Sequence, residues 1–385
     1  MACQLRGLER GAIEHLMTKE TIYQRLGLRR VINAAGKMTA LGGSAVAPEV
    51  AQILAEASQD YVDIAELLRV AGERVAEATG AEAGFVTSSA SAGIVLGTAA
   101  CIARGDPART ESLPHPPGPP HRMIIQRGHS VHYGASILQM MALAGAEVVE
   151  IGNTNRTLSH QLSSALDERT AGVMFVVSHH TVQSGMLPLE TVIELAHAES
   201  VPVVVDVGAE LDLRKYIAAG ADLVIYSGQK GIEGPASGLV AGKERWVAAC
   251  AQQNSGIGRA MKIGKEGIVG ALVALQRALA RDEAREAEAQ AAAAQSMAVQ
   301  LTGLPGVIAR VATDPVRPIS RVRVTVEAGV ARLTGRELVG KLEAHDPSIR
   351  TRNHALEHGS FEIDFRTLRD GEAEQIVAAL KQYLK

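Results

Sequence analysis

A lysine placed just past a hydrophobic strand, among small residues, can be held in a cleft where desolvation favours the free amine and its nucleophilic or basic chemistry. Tyr226-Ser227-Gly228-Gln229-Lys230 has that pattern, since it ends the run Leu223–Tyr226 and is followed by Gly231-Ile232-Glu233-Gly234-Pro235. Taken alone, Lys230 reads as a solvated loop residue, the ordinary state of lysine. Asp206 changes that weighting. It closes the β-branched run Val201–Val205, 24 residues before Lys230, at the matching end of a neighbouring strand–helix unit. A carboxylate there can hold the proton of a pyridine nitrogen, the partner that makes a pyridoxal-type cofactor an electron sink. By itself it reads equally as a helix N-cap. Upstream, Thr87-Ser88-Ser89-Ala90-Ser91-Ala92-Gly93 joins a strand to an apolar helix. Small residues admit a close ligand, and helix-start N–H groups with serine hydroxyls suit a phosphate dianion.

The order is small-residue turn, strand-end Asp, then Ser-x-x-Lys, which is the order of fold-type I enzymes that use pyridoxal 5'-phosphate (PLP). Ser227 adds a further phosphate contact in that arrangement. His129, in Gln126-Arg127-Gly128-His129-Ser130, follows the strand-like run 123–126 and is placed to lie over the pyridine ring. A loop or capping histidine fits the position equally well.

Five segments carry a resemblance over nearly the whole chain: INAAGKMTALGGS (32–44), EIGNTNRT (150–157), VPVVVDVGAELD (201–212), YSGQKGIEGPASGLVAGK (226–243) and RNHALEHGSFEIDFRTL (352–368). In them the sequence is similar to the family of bacterial selenocysteine synthase (L-seryl-tRNA selenium transferase) and its shorter relatives, including D-glucosaminate-6-phosphate ammonia-lyase. The resemblance implies that Lys230 forms the internal aldimine, a Schiff base, that Asp206 contacts the pyridine nitrogen, and that Ser89, Ala90 and Ser91 hold the phosphate. Enzymes of this fold place a segment like Gly258–Lys265 at a dimer interface near the neighbouring active site. Arg259 and Lys262 are therefore candidates for a second anion contact, Arg259 toward the cofactor and Lys262 toward the substrate. Arg352 stands where such enzymes hold the substrate carboxylate, a job that suits a guanidinium fork. Arg366 is its rival, or a structural residue. Glu210 stands near where many relatives of the fold have a histidine. It reads as a helix-cap carboxylate ahead of a second acid–base group. His179 and His180 follow the run 172–177 and edge the same cleft. No HExxH motif occurs, so a catalytic zinc, or any metal, is not expected.

These residues need strands to carry them. Gly84–Thr87, Met123–Gln126, Glu147–Ile151, Gly172–Val177, Val201–Val205 and Leu223–Tyr226 read as short buried strands. Helical stretches such as Gly134–Ala144 and Leu189–Glu199 fall between them, which predicts an α/β fold with a mainly parallel sheet flanked by helices. Ligands of such sheets bind at the carboxyl ends of the strands. Gly267–Thr302 reads as one long connecting helix. The runs Val322–Val326 and Phe361–Phe365, with a helix at Glu372–Leu384, read as a smaller α+β domain. The predicted organisation is an N-terminal segment, 1–50, contributing to the active-site mouth, a large PLP-binding domain, 51–255, and a C-terminal part, 256–385. Residues 107–121 hold six prolines and read as a surface loop.

Composition narrows the function further. The 385 residues are 46% hydrophobic and 21% charged, an ordinary globular balance. Aromatic residues make up 3%, and Lys+Arg 39 against Asp+Glu 42 gives a net charge of −3. Neither suits a nucleic-acid binder, which concentrates cations and stacking rings. Cys3, Cys101 and Cys250 are far apart and fit a reducing compartment. Met1–Met17 carries Arg6, Glu9, Arg10 and Glu14 without an apolar run, unlike a secretory leader, and a cytoplasmic location is expected. The reading that follows is a PLP-dependent ammonia-lyase acting on a small hydroxyamino acid or amino-sugar acid, working as a homodimer or larger homo-oligomer without membrane or nucleic acid. Selenium transfer on seryl-tRNA, racemisation and transamination are the alternatives, with PLP binding without catalysis behind them.

Overall fold

The computed structural model of the protein describes residues 21–178, 180–314 and 317–384. It forms two compact units, a smaller one of Met1–Leu41 with Asp282–Lys385, and a larger one of Gly42–Arg281. The chain changes unit at 41/42 and 281/282, where the sequence had suggested 50/51 and 255/256. Packing explains the shift. Helix Lys265–Leu279 buries Ile268, Ala271, Ala274 and Leu275 in the core of the larger unit. Its Gly270 faces Leu54 of helix Pro48–Gln59 so closely that a Cβ there would meet Leu54 Cδ2 at 2.7 Å.

The first strand, β1 (Val31–Ala34), belongs to the smaller unit. The larger unit holds β2 (Ala83–Thr87), β3 (Arg122–Gln126), β4 (Glu147–Ile151), β5 (Thr170–Val176), β6 (Val203–Asp206), β7 (Leu223–Ser227) and β8 (Gly238–Gly242) in one sheet. Their order is β2-β8-β7-β6-β5-β3-β4, with β8 antiparallel to both neighbours and the remaining pairs parallel. Successive residues feed opposite faces. Ile124, Val173, Val205 and Val224 enter one apolar cluster, and Ile125, Met174, Val204 and Ile225 enter the other. Burial on both faces explains why these strands read as continuous apolar runs.

Six strands match the runs seen in the sequence. The seventh, β8, was not among those runs, because it is short and bounded by glycines, which weaken a strand signal. Those glycines are required by close approach: a Cβ on Gly238 would lie 2.3 Å from Ser89 O, and one on Gly242 would lie 2.0 Å from Asp222 O. Two further expectations are corrected. The single helix 267–302 is two helices, Lys265–Leu279 and Glu283–Leu301, and Asp282 caps the second by accepting from Arg285 N at 3.0 Å. The proline-rich stretch begins as a helix, Pro107–Ser112, whose N-cap Asp106 accepts from Ala108 N and Arg109 N. The Arg109 guanidinium then gathers the following loop by donating to Gly118 O and Pro120 O, both at 3.0 Å.

In the smaller unit β9 (Val307–Thr313), β10 (Ser320–Val326) and β12 (Ser360–Asp364) form an antiparallel sheet, while β11 (Ser348–Thr351) pairs in parallel with β1. Val322, Val324, Phe361 and Ile363 point into a core shared with Met297 and Leu380 of helices Glu283–Leu301 and Glu372–Leu384. The architecture is a helix-flanked, mainly parallel sheet with a smaller α+β unit, as the sequence predicted. No helix among the described residues is long and apolar enough to cross a membrane.

Candidate active site

Register brings the chemistry-bearing residues to one edge of the large sheet. Asp206 pairs with Val176 on one side and Ile225 on the other, and Thr87 and Ser227 both pair with Gly238. The residues just beyond these ends are Ser89, Gly208 and Lys230. They converge. A Cβ built on Gly208 would lie 3.3 Å from Asp206 Oδ1 and 3.9 Å from both Lys230 Nζ and Ala90 Cβ. Glycine therefore leaves a space bounded by a carboxylate, an amine and a helix start.

Each wall has a local cause. Ser89 is the N-cap of helix Ala90–Ala103, and its Oγ accepts from Ala92 N at 3.0 Å. The N–H groups of that first turn face the strand-end region, where a helix end favours an anion. The helix is buried over nearly its whole length, so its dipole end is held rigidly. Asp206 Oδ1 accepts from Gly208 N at 3.1 Å. Burial pushes the Asp206 carboxyl up to about 6, against the opposing pull of the Lys230 ammonium and the Gly208 N–H. The loop bearing Lys230 folds back on itself, with Gly228 N donating to Ser237 O at 2.9 Å and Gly234 N donating to Gly228 O at 2.7 Å. Ser227 ends β7, half-buried, one residue before that loop.

His129 is displaced from its expected role. It has no exposed surface, and its ring meets the Phe175 ring edge-on at 4.5 Å. Val176 N donates to His129 Nδ1 at 3.3 Å, so the neutral ring carries its proton on Nε2, which has no hydrogen-bond partner among the described residues. Burial lowers its pKa to about 4. The covering segment explains this: Val182 N donates to Gly128 O, and a Cβ on Gly128 would lie 2.6 Å from Met186 Sδ. His129 thus packs behind the strand ends with no face to offer a bound ring.

Tyr133 is the residue that sequence reasoning missed. Its phenol is pushed above the usual range by burial first and then by the Asp206 charge, with the nearby Ser91 side chain opposing, and its buried oxygen has no hydrogen-bond partner among the described residues. Those two neighbours put it beside the helix start and the acid. No periodicity marks Val131-His132-Tyr133, and only the fold reveals it.

The remaining candidates divide. Thr87 Oγ1 donates to Met261 O at 3.2 Å, which fastens the turn Ile257–Met261 to the end of β2. Arg259 and Lys262 on and beside that turn are exposed and have no ion pair among the described residues. Lys265 is committed elsewhere, donating to Ser58 O at 2.9 Å. Glu210 caps no helix among the described residues; Asp212 accepts from Arg214 N and Lys215 N, both at 3.0 Å, just ahead of the helix Lys215–Ala218. His180 is exposed, and His179 lies outside the described residues, as does Cys3. In the smaller unit Arg366 is spent on Asp364, with contacts of 2.9 and 2.7 Å. Arg352 is only loosely paired, its Nε 3.7 Å from Glu362 Oε2.

The chain is similar to known proteins along nearly its whole length. The sequence profile of L-seryl-tRNA selenium transferase matches residues 31–358. The D-glucosaminate-6-phosphate ammonia lyase of Salmonella typhimurium is 42% identical over 362 residues, covering 94% of this chain and 97% of that one. A Streptomyces 5'-C-glycyluridine monooxygenase-decarboxylase is 38% identical over 365 residues, covering 94% and 92%. A solved structure of a D-glucosaminate-6-phosphate ammonia-lyase superposes with a TM-score of 0.90 at 41% identity, over 95% of this chain and 99% of the other.

Proposed function

Because the chain belongs to the L-seryl-tRNA selenium transferase family, we propose that it is a PLP-dependent ammonia-lyase acting on a β-hydroxy amino acid or amino-sugar acid, in the manner of D-glucosaminate-6-phosphate ammonia lyase. The observation that carries the reading is the space at Gly208, which Asp206, Lys230 and Ala90 bound together. A flat cofactor with a basic, protonatable ring nitrogen, an aldehyde and a phosphate fits that trio of carboxylate, amine and helix start. In this reading Ser89, Ala90, Ser91 and Ser227 hold the phosphate and Asp206 holds the proton on the ring nitrogen. When bound, PLP supplies an electron sink for the pair left at the substrate Cα.

The chain's own groups do the rest. Lys230 removes the Cα proton as a base. Its ammonium then gives that proton to the departing β-hydroxyl, so one group serves as base and acid and water leaves. The enamine released tautomerises and is hydrolysed to a 2-oxo acid and ammonia. Arg352 of the smaller unit, its Nε 3.7 Å from Glu362 Oε2, has donors left for a carboxylate. Exposed Arg259 and Lys262 are offered to an anionic group at the face where we place a second copy of the chain. A cytoplasmic location belongs to the same reading.

The test is a screen of D- and L-β-hydroxy amino acids, free and phosphorylated, with ammonia and 2-oxo acid followed together. Equal yields without an added acceptor support the lyase. An absolute need for a 2-oxo acid acceptor makes it an aminotransferase, and loss of optical rotation without ammonia makes it a racemase. Carbon dioxide release with oxygen uptake points to the chemistry named for the Streptomyces relative, and selenide-dependent conversion of seryl-tRNA to that named for the family.

A further inference from the structure

The chain passes between its two compact units twice, at 41/42 and at 281/282. In the larger unit the residues at both crossings are bonded to the immediate neighbours of Lys230. On the entering side, Ser44 Oγ donates to Gln229 O at 2.7 Å and Gln229 Nε2 donates to Gly42 O at 3.3 Å. Gly42 and Gly43 both take positive φ, +86° and +78°, and a Cβ on Gly43 would stand 3.1 Å from Gln229 Cβ. On the leaving side, Arg281 Nη1 donates to Gly231 O at 3.1 Å and sits 3.2 Å from Glu233 Oε1. Glu233 is one of three non-glycine residues described with positive φ, here +59°. Such a backbone persists where surrounding contacts fix it.

Lys230 is thus flanked by two latches, one on residue 229 beside the point where the chain enters the larger unit and one on residue 231 at the point where it leaves. We propose that Ser44 and Arg281 are positioning residues for Lys230, setting the height and direction of its amine, and that they tie its setting to the two crossings of the chain. The inference rests on Lys230 being the reactive amine of the proposed function. Neither residue touches the reacting atoms in this assignment. Each acts through the backbone carbonyl it holds. Proton transfer is steep in geometry, so a slack loop lowers turnover while leaving most substrate contacts intact.

The experiment uses the cofactor-loaded protein and the variants Ser44→Ala and Arg281→Met, with Ser44→Thr and Arg281→Lys as conservative replacements. Borohydride treatment and peptide mapping come first. If the label falls on a lysine other than Lys230, the functional reading fails and this inference with it. With Lys230 labelled, the expected result is a fall in kcat of roughly ten-fold in each disruptive variant, about 1.4 kcal/mol in barrier, with KM changed by less than about two-fold. The pH midpoint of the cofactor absorbance should shift in the same variants, and Ser44→Thr should restore both readouts. Labelled Lys230 with wild-type kcat and an unmoved absorbance midpoint in both variants overturns the positioning role. So does a kcat loss that merely follows a loss of folded protein measured by circular dichroism. Should one variant fail to fold, the other decides.

Discussion

Asp206→Asn separates the electrostatics of the site from its chemistry. In the folded protein the Asp206 carboxyl titrates near 6 rather than 3.8, chiefly because burial disfavours its charge. Ionising it in the fold therefore costs about 3 kcal/mol more than in the unfolded chain, at 1.36 kcal/mol per pH unit. The sign follows from proton linkage. Below 3.8 both states are protonated and the group is neutral to stability. Between 3.8 and 6 the unfolded chain ionises first, so stability drains away as pH rises, and the loss levels off above 6. The penalty works out to about 1 kcal/mol at pH 4.5 and about 3 kcal/mol at pH 7. Asparagine keeps the shape and the acceptor for Gly208 N–H but carries no charge. Cofactor-free Asp206→Asn should therefore exceed the wild type in urea stability by a margin that grows from pH 4.5 to 7. Turnover of the loaded variant should fall by about 100-fold or more, since it cannot hold the ring proton. A stability difference that is flat with pH refutes the desolvated carboxylate. Near wild-type turnover removes Asp206 from the chemistry.

Lys230→Ala should fold normally, and borohydride should no longer fix the cofactor to the chain, as peptide mapping will report. Gly208→Ala places a methyl 3.3 Å from Asp206 Oδ1 and 3.9 Å from Lys230 Nζ. It should fold yet bind cofactor at least about ten-fold more weakly, a loss of about 1.4 kcal/mol, by absorbance titration. In the smaller unit Asp364 is fully buried between Arg321 and Arg366, and hydrogen bonds and charge from Arg366, then Arg321, overcome burial to hold its carboxyl down at about 2. Its stabilisation is present above 3.8 and lost as pH falls toward 2, and Asp364→Asn should cost about 3–5 kcal/mol in denaturant unfolding by leaving guanidinia unpaired.

The sequence by itself determined the scaffold and the strand ends on which Asp206 and Lys230 stand. β-branched and apolar runs of four to seven residues bounded by turn residues read as buried strands. A strand's carboxyl end is where its next polar residue must emerge, so Asp206 and Lys230 could be read from their place after such runs. What the sequence could not carry were relations between residues distant in the chain. β8 was absent from the strand-like runs because its glycines answer to Ser89 and Asp222, which only the fold brings near. Histidine 129 and Tyr133 are four residues apart on one connection, and covering by Val182–Met186 decided that the first is sealed while the second reaches Ser91 and Asp206. The apparent single helix at 267–302 hid a change of compact unit, because helical periodicity does not say which core a face will join. Arg352 and Arg366 are alike in sequence, yet Asp364 occupies one and leaves the other nearly free. Local pattern fixes which element a residue sits on, since that depends on neighbours along the chain. Which atoms surround its side chain depends on register and packing, and these exist only once the tertiary structure has formed.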